Sequence, residues 1–303
     1  MPLILVLGAN GFIGRQVAAA LMGRPGIEVA GAGLGAPTAD LERDWIDLDL
    51  LAGDDRLTAE LRSLKPAVLV NCTGATVGSA ATLICLNVLT TDAILGSLDR
   101  SGLATRLVHF GSAAEYGPGP VDQYVGETAC ARPVAPYGIA KLAATQLVLA
   151  AAAQGREAVV MRVFNALGPG MPDDSLAGSA ARRLTEAAAA SSPRVEFGPL
   201  GSVRDFIDVR DVAGAAVSAC LVPRLAARVV NVGTGQGHAA RDLVAEIAEA
   251  VGYRGQIAEG AAGSPRSADV PWQVADISLA QMALGWQPIH GLRSSVAFML
   301  ARG

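Results

Sequence analysis

The sequence predicts an α/β fold, a doubly wound parallel sheet with a smaller C-terminal lobe. Three observations carry this reading. Six apolar runs alternate with helical patterns across the first 165 residues, as parallel strands covered on both faces require. A glycine-rich turn joins the first run to the first helical pattern. After residue 165 the alternation breaks into shorter, irregular pieces. The expected division is a sheet domain over residues 1–165, with 199–235 partly returning to it, and a lobe formed by 166–198 and 236–303.

The first strand is the unbroken apolar run at residues 3–7, which enters Gly8-Ala9-Asn10-Gly11-Phe12-Ile13-Gly14 and then a helical pattern through Met22. Glycines at 8, 11 and 14 allow a tight turn and close backbone approach to a pyrophosphate, and the helix N-terminus offers amide protons to the anion. The loop, with Asn10, Phe12 and Ile13, therefore predicts dinucleotide binding. A second strand covers residues 27–32. A cofactor lacking a 2′-phosphate usually meets Asp or Glu at this point, yet the chain reads Gly31-Ala32-Gly33-Leu34-Gly35. The missing carboxylate favours NADP(H), with NAD(H) the alternative. Arg15 and Arg43 are within reach in sequence but read as surface residues.

A short third strand is expected over 45–50 and a helix over 58–64. The fourth strand, 68–74, ends in Cys72-Thr73-Gly74, small residues that leave room for a cofactor at a carboxyl edge. A long helix over 82–100 contains Asn87, which either packs in the core or reaches the site. The fifth strand, 107–110, runs into Gly111-Ser112-Ala113-Ala114-Glu115-Tyr116-Gly117. Ser112 is either a turn residue or a donor to a substrate oxygen. A proline-rich loop leads to a helix over 137–154, and the sixth strand is 158–164.

Tyr137 and Lys141 stand four apart at the start of that helix, so both project from one face. A phenol titrates near ~10 in water, and an adjacent cation favours its phenolate. Such a phenol exchanges protons with an alcohol or sugar oxygen near neutral pH. The chain has four tyrosines and two lysines, Lys65 and Lys141, in 303 residues. Random placement would give such a pair with a chance of roughly 0.03. Tyr137, Lys141 and Ser112 are the expected catalytic set.

Composition sets further bounds. Hydrophobic residues make up 51% of the chain, enough for a sizeable core. The net charge of −4 and scattered basic residues argue against a nucleic-acid surface. No unbroken apolar run approaches the ~18 residues of a membrane span. No signal peptide is expected at the N-terminus. The four cysteines (72, 85, 130 and 220) lack metal or redox spacing and read as reduced and structural. The three histidines suggest no metal site. A cytoplasmic protein is expected.

The stretches Gly8–Gly14, 71–74, 112–117, 137–141, 162–170, 204–212, 231–235 and 266–270 resemble, in order and spacing, the extended short-chain dehydrogenase/reductases, or NAD-dependent epimerase/dehydratase family, over nearly the whole chain. That resemblance implies a Rossmann fold and an oxidoreductase acting on a nucleotide sugar. Tyr137 would be the acid/base, Lys141 would hold the nicotinamide ribose, and Ser112 would orient the reacting oxygen. Asp49 and Leu50 would contact adenine, with Asp47 and Leu48 fitting almost as well. Cys72, Thr73, Gly74, Asn87 and Phe164 would add cofactor contacts. Ser112, Ala113, Asn165, Arg204 and Arg266 would face the substrate, the two arginines on a diphosphate. Ala113 and Ala114 stand where dehydratases of the family carry Asp and Glu, which speaks against dehydration. The implied activity is an NADPH-dependent 4-ketoreductase of a nucleotide-linked deoxysugar. The alternatives are a 4-epimerase with retained NAD, a reductase of a non-sugar ketone, or a non-catalytic cofactor sensor. The resemblance also implies a homodimer packed through helices 82–100 and 137–154.

Overall fold

The computed structural model describes residues 1–37, 41, 44–53, 55–260 and 270–301. A seven-stranded parallel sheet forms its centre, built from β1 (Leu3–Leu7), β2 (Glu28–Gly33), β3 (Trp45–Asp47), β4 (Val68–Asn71), β5 (Arg106–Ser112), β7 (Ala158–Val163) and β11 (Val229–Val232). The strand order is β11-β7-β5-β4-β1-β2-β3, so the chain reverses direction across the sheet between β1 and β4. In such sheets ligands bind at that switch point, outside the carboxyl ends of the strands.

Helices cover both faces. On one, α1 (Phe12–Met22), α7 (Val209–Leu221) and α9 (Ser278–Leu284) bury Val17, Leu21, Val212, Ala216 and Leu284 against β-branched residues of the strands. On the other, α2 (Arg56–Leu64), α4 (Thr90–Ser101) and α5 (Pro136–Ala153) bury Leu57, Leu61, Ile94, Leu98 and Val148. Burial on both faces explains why the strands read as continuous apolar runs.

The lobe has its own apolar cluster. It holds β8 (Asn165–Leu167), α6 (Leu176–Ala189), β10 (Val203–Asp208), α8 (Ala240–Ala250) and α10 (Leu292–Leu300), with Leu184, Phe206, Leu243, Ile247 and Val296 buried together. Its small sheet adds the short strands β6 (Tyr124–Val125), β12 (Gly237–Ala239) and β14 (Trp272–Ala275), in the order β12-β10-β14-β6. A separate pair joins β9 (Arg194–Phe197) to β13 (Gln256–Glu259). Because β11 lies in the central sheet and α7 packs on its helix layer, we propose the division near residue 165, with 199–235 shared between the two parts.

Several elements differ from the sequence expectation: the third strand, expected over 45–50, ends at Asp47, and the fourth, expected over 68–74, ends at Asn71. The proline-rich loop contains β6, too short to leave a pattern. The helix expected over 82–100 is α3 (Ala80–Ile84), a π-helical turn (Cys85–Leu89) and α4 in succession. Single π turns recur at functional sites because they re-aim a side chain without ending the helix. Over Ala80–Ser101 the mean hydropathy of 1.6 meets the length and composition test for a membrane span, and it is the one such helix among the described residues. Its polar Asn87, Thr90 and Thr91 are buried against the sheet domain, while Ile84, Leu86 and Leu89 are exposed.

Candidate active site

Backbone geometry forms the cofactor side. Gly8 turns with φ +71°, and an added Cβ there would sit 3.1 Å from the backbone of Cys72 and Thr73. The loops after β1 and β4 thus touch at the switch point. At Gly14 a Cβ would come within 2.0 Å of the Gly8 carbonyl oxygen, so α1 can begin this close to β1 only with glycine. Gly8, Asn10, Gly11, Asp49, Leu50, Cys72, Thr73 and Gly74 line the first cavity, together with Leu48. Asp47 faces elsewhere and accepts a hydrogen bond from the Gly35 amide at 3.1 Å. Asn10 Nδ2 donates to the Leu34 carbonyl at 2.9 Å, closing the loop after β2.

A second cavity continues from the first and is lined by Gly11, Phe12, Ile13, Asn87, Ser112, Tyr137, Lys141 and Phe164. Asn87 is buried, and its Nδ2 donates to the carbonyls of Ala75 (3.0 Å) and Leu83 (2.8 Å). Its Oδ1 is buried without a partner among the described residues. Asn87 is thus buried and also lines the cleft.

Pro136 opens α5 at its first position, where a missing N–H costs nothing. Tyr137 then sits in the first turn and Lys141 one turn on. The helix packs tightly on the Ser112 turn, since a Cβ on Gly138 would lie 2.4 Å from the Ala114 carbonyl oxygen. That close approach puts Tyr137 and Ser112 on the wall of both the second cavity and a third, which opens toward the lobe. Ser112 Oγ accepts from the Ala114 amide at 3.2 Å, which leaves its own O–H free to donate. Lys141 is buried, and its Nζ donates to the Phe110 carbonyl. Burial pulls its pKa below the ordinary value, and the nearby Glu115 opposes that pull.

The third cavity is lined by Ser112, Ala113, Asn165 and Arg204, four of the residues expected to face the substrate, by Tyr137, and also by Thr76, Ala114, Phe164, Ser175 and Gln273. Arg204 is buried, with Nη1 donating to the Val203 carbonyl at 2.9 Å. Burial lowers its pKa, and among the described residues no carboxylate pairs with it. Asn165 Nδ2 is committed to the Asp205 carbonyl at 2.9 Å. Arg266 and Arg43 lie outside the described residues. Gln273, absent from the sequence reading, donates from Nε2 to the Ala113 carbonyl at 2.9 Å and so ties the lobe to the serine turn. Its strand is four residues long and left no pattern. Among the described residues no cluster of His, Cys, Asp and Glu could hold a metal.

The residues fit a dinucleotide: three glycines clear a cradle at a helix N-terminus, and beside it Asn87, whose buried amide oxygen lies unpartnered against Gly74 among the described residues, lines the cleft. Comparison with known proteins agrees. The profile of the NAD dependent epimerase/dehydratase family matches residues 4–233. A dTDP-6-deoxy-L-talose 4-dehydrogenase (NAD(P)(+)) of Kitasatospora kifunensis is 36% identical over 97% of this chain and 93% of its own. MoeE5 in complex with UDP-glucuronic acid and NAD superposes with a TM-score of 0.84 at 30% identity, covering 98% of this chain and 97% of that one. A UDP-glucose 4-epimerase from Stenotrophomonas maltophila, with bound NAD and formylated UDP-arabinopyranose, gives a TM-score of 0.85 at 25% identity over 99% and 97%.

The preference for NADP(H) is corrected by these comparisons. Most of the similar solved structures hold NAD, and one, RMD from Pseudomonas aeruginosa at 24% identity, holds NADPH. The physical reason lies in the loop after β2. Removing a carboxylate from the end of β2 does not supply a cation for a 2′-phosphate. The guanidinium of Arg15 is turned away to the Pro169 carbonyl. Asp49, in the loop after β3, lines the same cavity and supplies the carboxylate that the end of β2 lacks.

Proposed function

The chain belongs to the NAD dependent epimerase/dehydratase family, and from that premise we propose that it performs NAD-dependent redox chemistry at C4 of a nucleotide-linked sugar. The single observation behind this reading is that Tyr137 and Ser112 stand on the wall common to the cofactor-side and lobe-side cavities, with Lys141 one helical turn behind. A bound NAD would lie along Gly8–Gly14, Asp49, Leu50, Thr73 and Asn87, and it supplies the hydride acceptor and donor. Tyr137 Oη takes the proton from the sugar hydroxyl on oxidation and returns it to the ketone oxygen on reduction. Lys141 favours the phenolate by its charge. The Ser112 O–H donates to the same sugar oxygen. Arg204, buried and free of a carboxylate partner among the described residues, suits a diphosphate. The methyl groups of Ala113 and Ala114 cannot shuttle protons, which speaks against dehydration.

Two outcomes share this step. A 4-epimerase keeps its NAD and returns the hydride to the opposite face, and the NAD-bound epimerases among the structural relatives favour it. Net oxidation or reduction at C4 is the second reading, favoured by the 36% identical 4-dehydrogenase. The narrower likeness to GDP-4-keto-6-deoxymannose reductases is matched at 28% identity over 71% of the chain, no better than the epimerases. To decide, purified enzyme is denatured to release and identify its nucleotide. Native enzyme is then incubated with UDP-, dTDP- and GDP-sugars without added cofactor. Appearance of the C4 epimer establishes the epimerase. Turnover that requires added cofactor and tracks nicotinamide absorbance establishes the second reading. A Tyr137→Phe enzyme as fast as the native one would overturn both. The exposed Ile84, Leu89 and Ile139 on the paired helices support a homodimer, which light scattering would measure.

A further inference from the structure

Beneath the Ser112 turn lies a charged group that the proposed chemistry does not use. Glu115 is fully buried, with 0% exposure. Its Oε1 accepts from the Ser112 amide at 2.8 Å and from Thr145 Oγ1 at 3.0 Å, and its Oε2 accepts from Arg162 Nε at 2.8 Å. These bonds join three elements. Ser112 ends β5, Thr145 lies one helical turn beyond Lys141 on α5, and Arg162 lies on β7 opposite Gly111. Beyond the pair, the Arg162 guanidinium stacks 4.5 Å over the Tyr116 ring, and the Tyr116 hydroxyl donates to Asn231 Oδ1 at 2.6 Å. The carboxylate is thus held from three sides, more than capping one short turn demands.

We infer that Glu115 is a positioning residue: its carboxylate fixes the Ser112 turn against α5 and β7, and its charge keeps Lys141 an ammonium beside Tyr137. The inference rests on the proposed roles of Tyr137 and Lys141. The groups around Lys141 are few. Cys72 on β4 is a thiol whose ionisation burial suppresses. His109 on β5 is held neutral, its pKa pushed well down by burial and by Lys141 itself. Tyr137 shares the helix. Arg162 on β7 is a second cation, paired to Glu115. Glu115, paired to Arg162, is therefore the one carboxylate in this group. Without it burial alone acts on the Lys141 ammonium and favours the neutral amine. Lys141 then gives up its proton more readily, and Tyr137 loses the charge that favours its phenolate.

The test is an ultraviolet titration of the phenolate in the NAD-bound enzyme, which needs no substrate. Tyr116 does not interfere, because burial pushes its hydroxyl up to about 12. Tyr137→Phe identifies the Tyr137 signal. If no near-neutral phenolate disappears with it, the proposed role of Tyr137 fails, separately from this inference. In Glu115→Gln the phenolate appears at higher pH by about one unit, and the alkaline limb of kcat moves to lower pH. A Glu115→Gln enzyme that unfolds at the native temperature and titrates as the native one does would overturn the inference. Should Glu115→Gln not fold, Glu115→Asp decides, since it keeps the charge and loses the reach. The titration is then retained while kcat falls several-fold at constant KM, and an unchanged kcat overturns the inference.

Discussion

The two halves of the cleft are made by different means. The cofactor half is backbone: glycines at 8 and 14 that no side chain could replace, and loops after β1 and β4 in contact. Its parts are neighbours in sequence or sit at the ends of regular strands. The lobe half is side chains brought from afar. Asn165, Ser175, Arg204 and Gln273 line one cavity from four separate elements. The serine turn joins the halves, tied to the lobe by Gln273 and to the sheet by Glu115. Rigid backbone suits a cofactor that stays the same, and separable side chains suit a substrate that changes across a family.

Attacking the junction should have the largest effect. Tyr137→Phe is expected to lower kcat by about a hundredfold to ten-thousandfold while nucleotide-sugar and NAD affinities, read by calorimetry, stay within error. Next comes the backbone half. Gly14→Ala would press a methyl into the Gly8 carbonyl, weaken NAD binding by about tenfold to a hundredfold, and lower the melting temperature. In the side-chain half, Arg204→Gln should raise the KM for a nucleotide sugar by about tenfold and leave the Kd for NAD unchanged. Equal losses of both ligands in that variant would erase the distinction between the halves.

The smallest effect concerns the end of β10 in the lobe. At Asp208, burial would raise the carboxyl, but the hydrogen bonds from Arg210 outweigh it and hold the pKa below the usual carboxylate range. A group with a lowered folded value gives stability that is present above its unfolded pKa and lost as pH falls through the folded one. Asp208→Asn should therefore lower the melting temperature by a few degrees at neutral pH. The gap from the native protein should narrow as pH drops into the acid range.

Much of the cofactor half was legible because its signals are local. Glycine spacing, an unbroken apolar strand and the Tyr137–Lys141 pair each lie within a few residues. The Glu115 turn was also readable in principle, since Ser112 and Glu115 stand at capping-box spacing. The partner Arg162, 47 positions on, was not. Gln273 lay hidden on a strand too short for a period, and β6 likewise. The cofactor preference failed because it read one strand end alone, whereas the loop after β3 brings Asp49 to the same cavity. The lobe's long-range pairings, such as β10 with β12 and β14, leave no local trace at all.

The central claim is that Tyr137 governs hydride movement at C4 of a nucleotide sugar. A nucleotide sugar deuterated at C4 and turned over by the NAD-bound enzyme tests it directly. The account predicts a primary isotope effect on turnover and a transient deuterated reduced nicotinamide within a single turnover, both lost with Tyr137→Phe. Turnover at the same rate with hydrogen and with deuterium at C4, with no reduced nicotinamide formed during a single turnover, would contradict it.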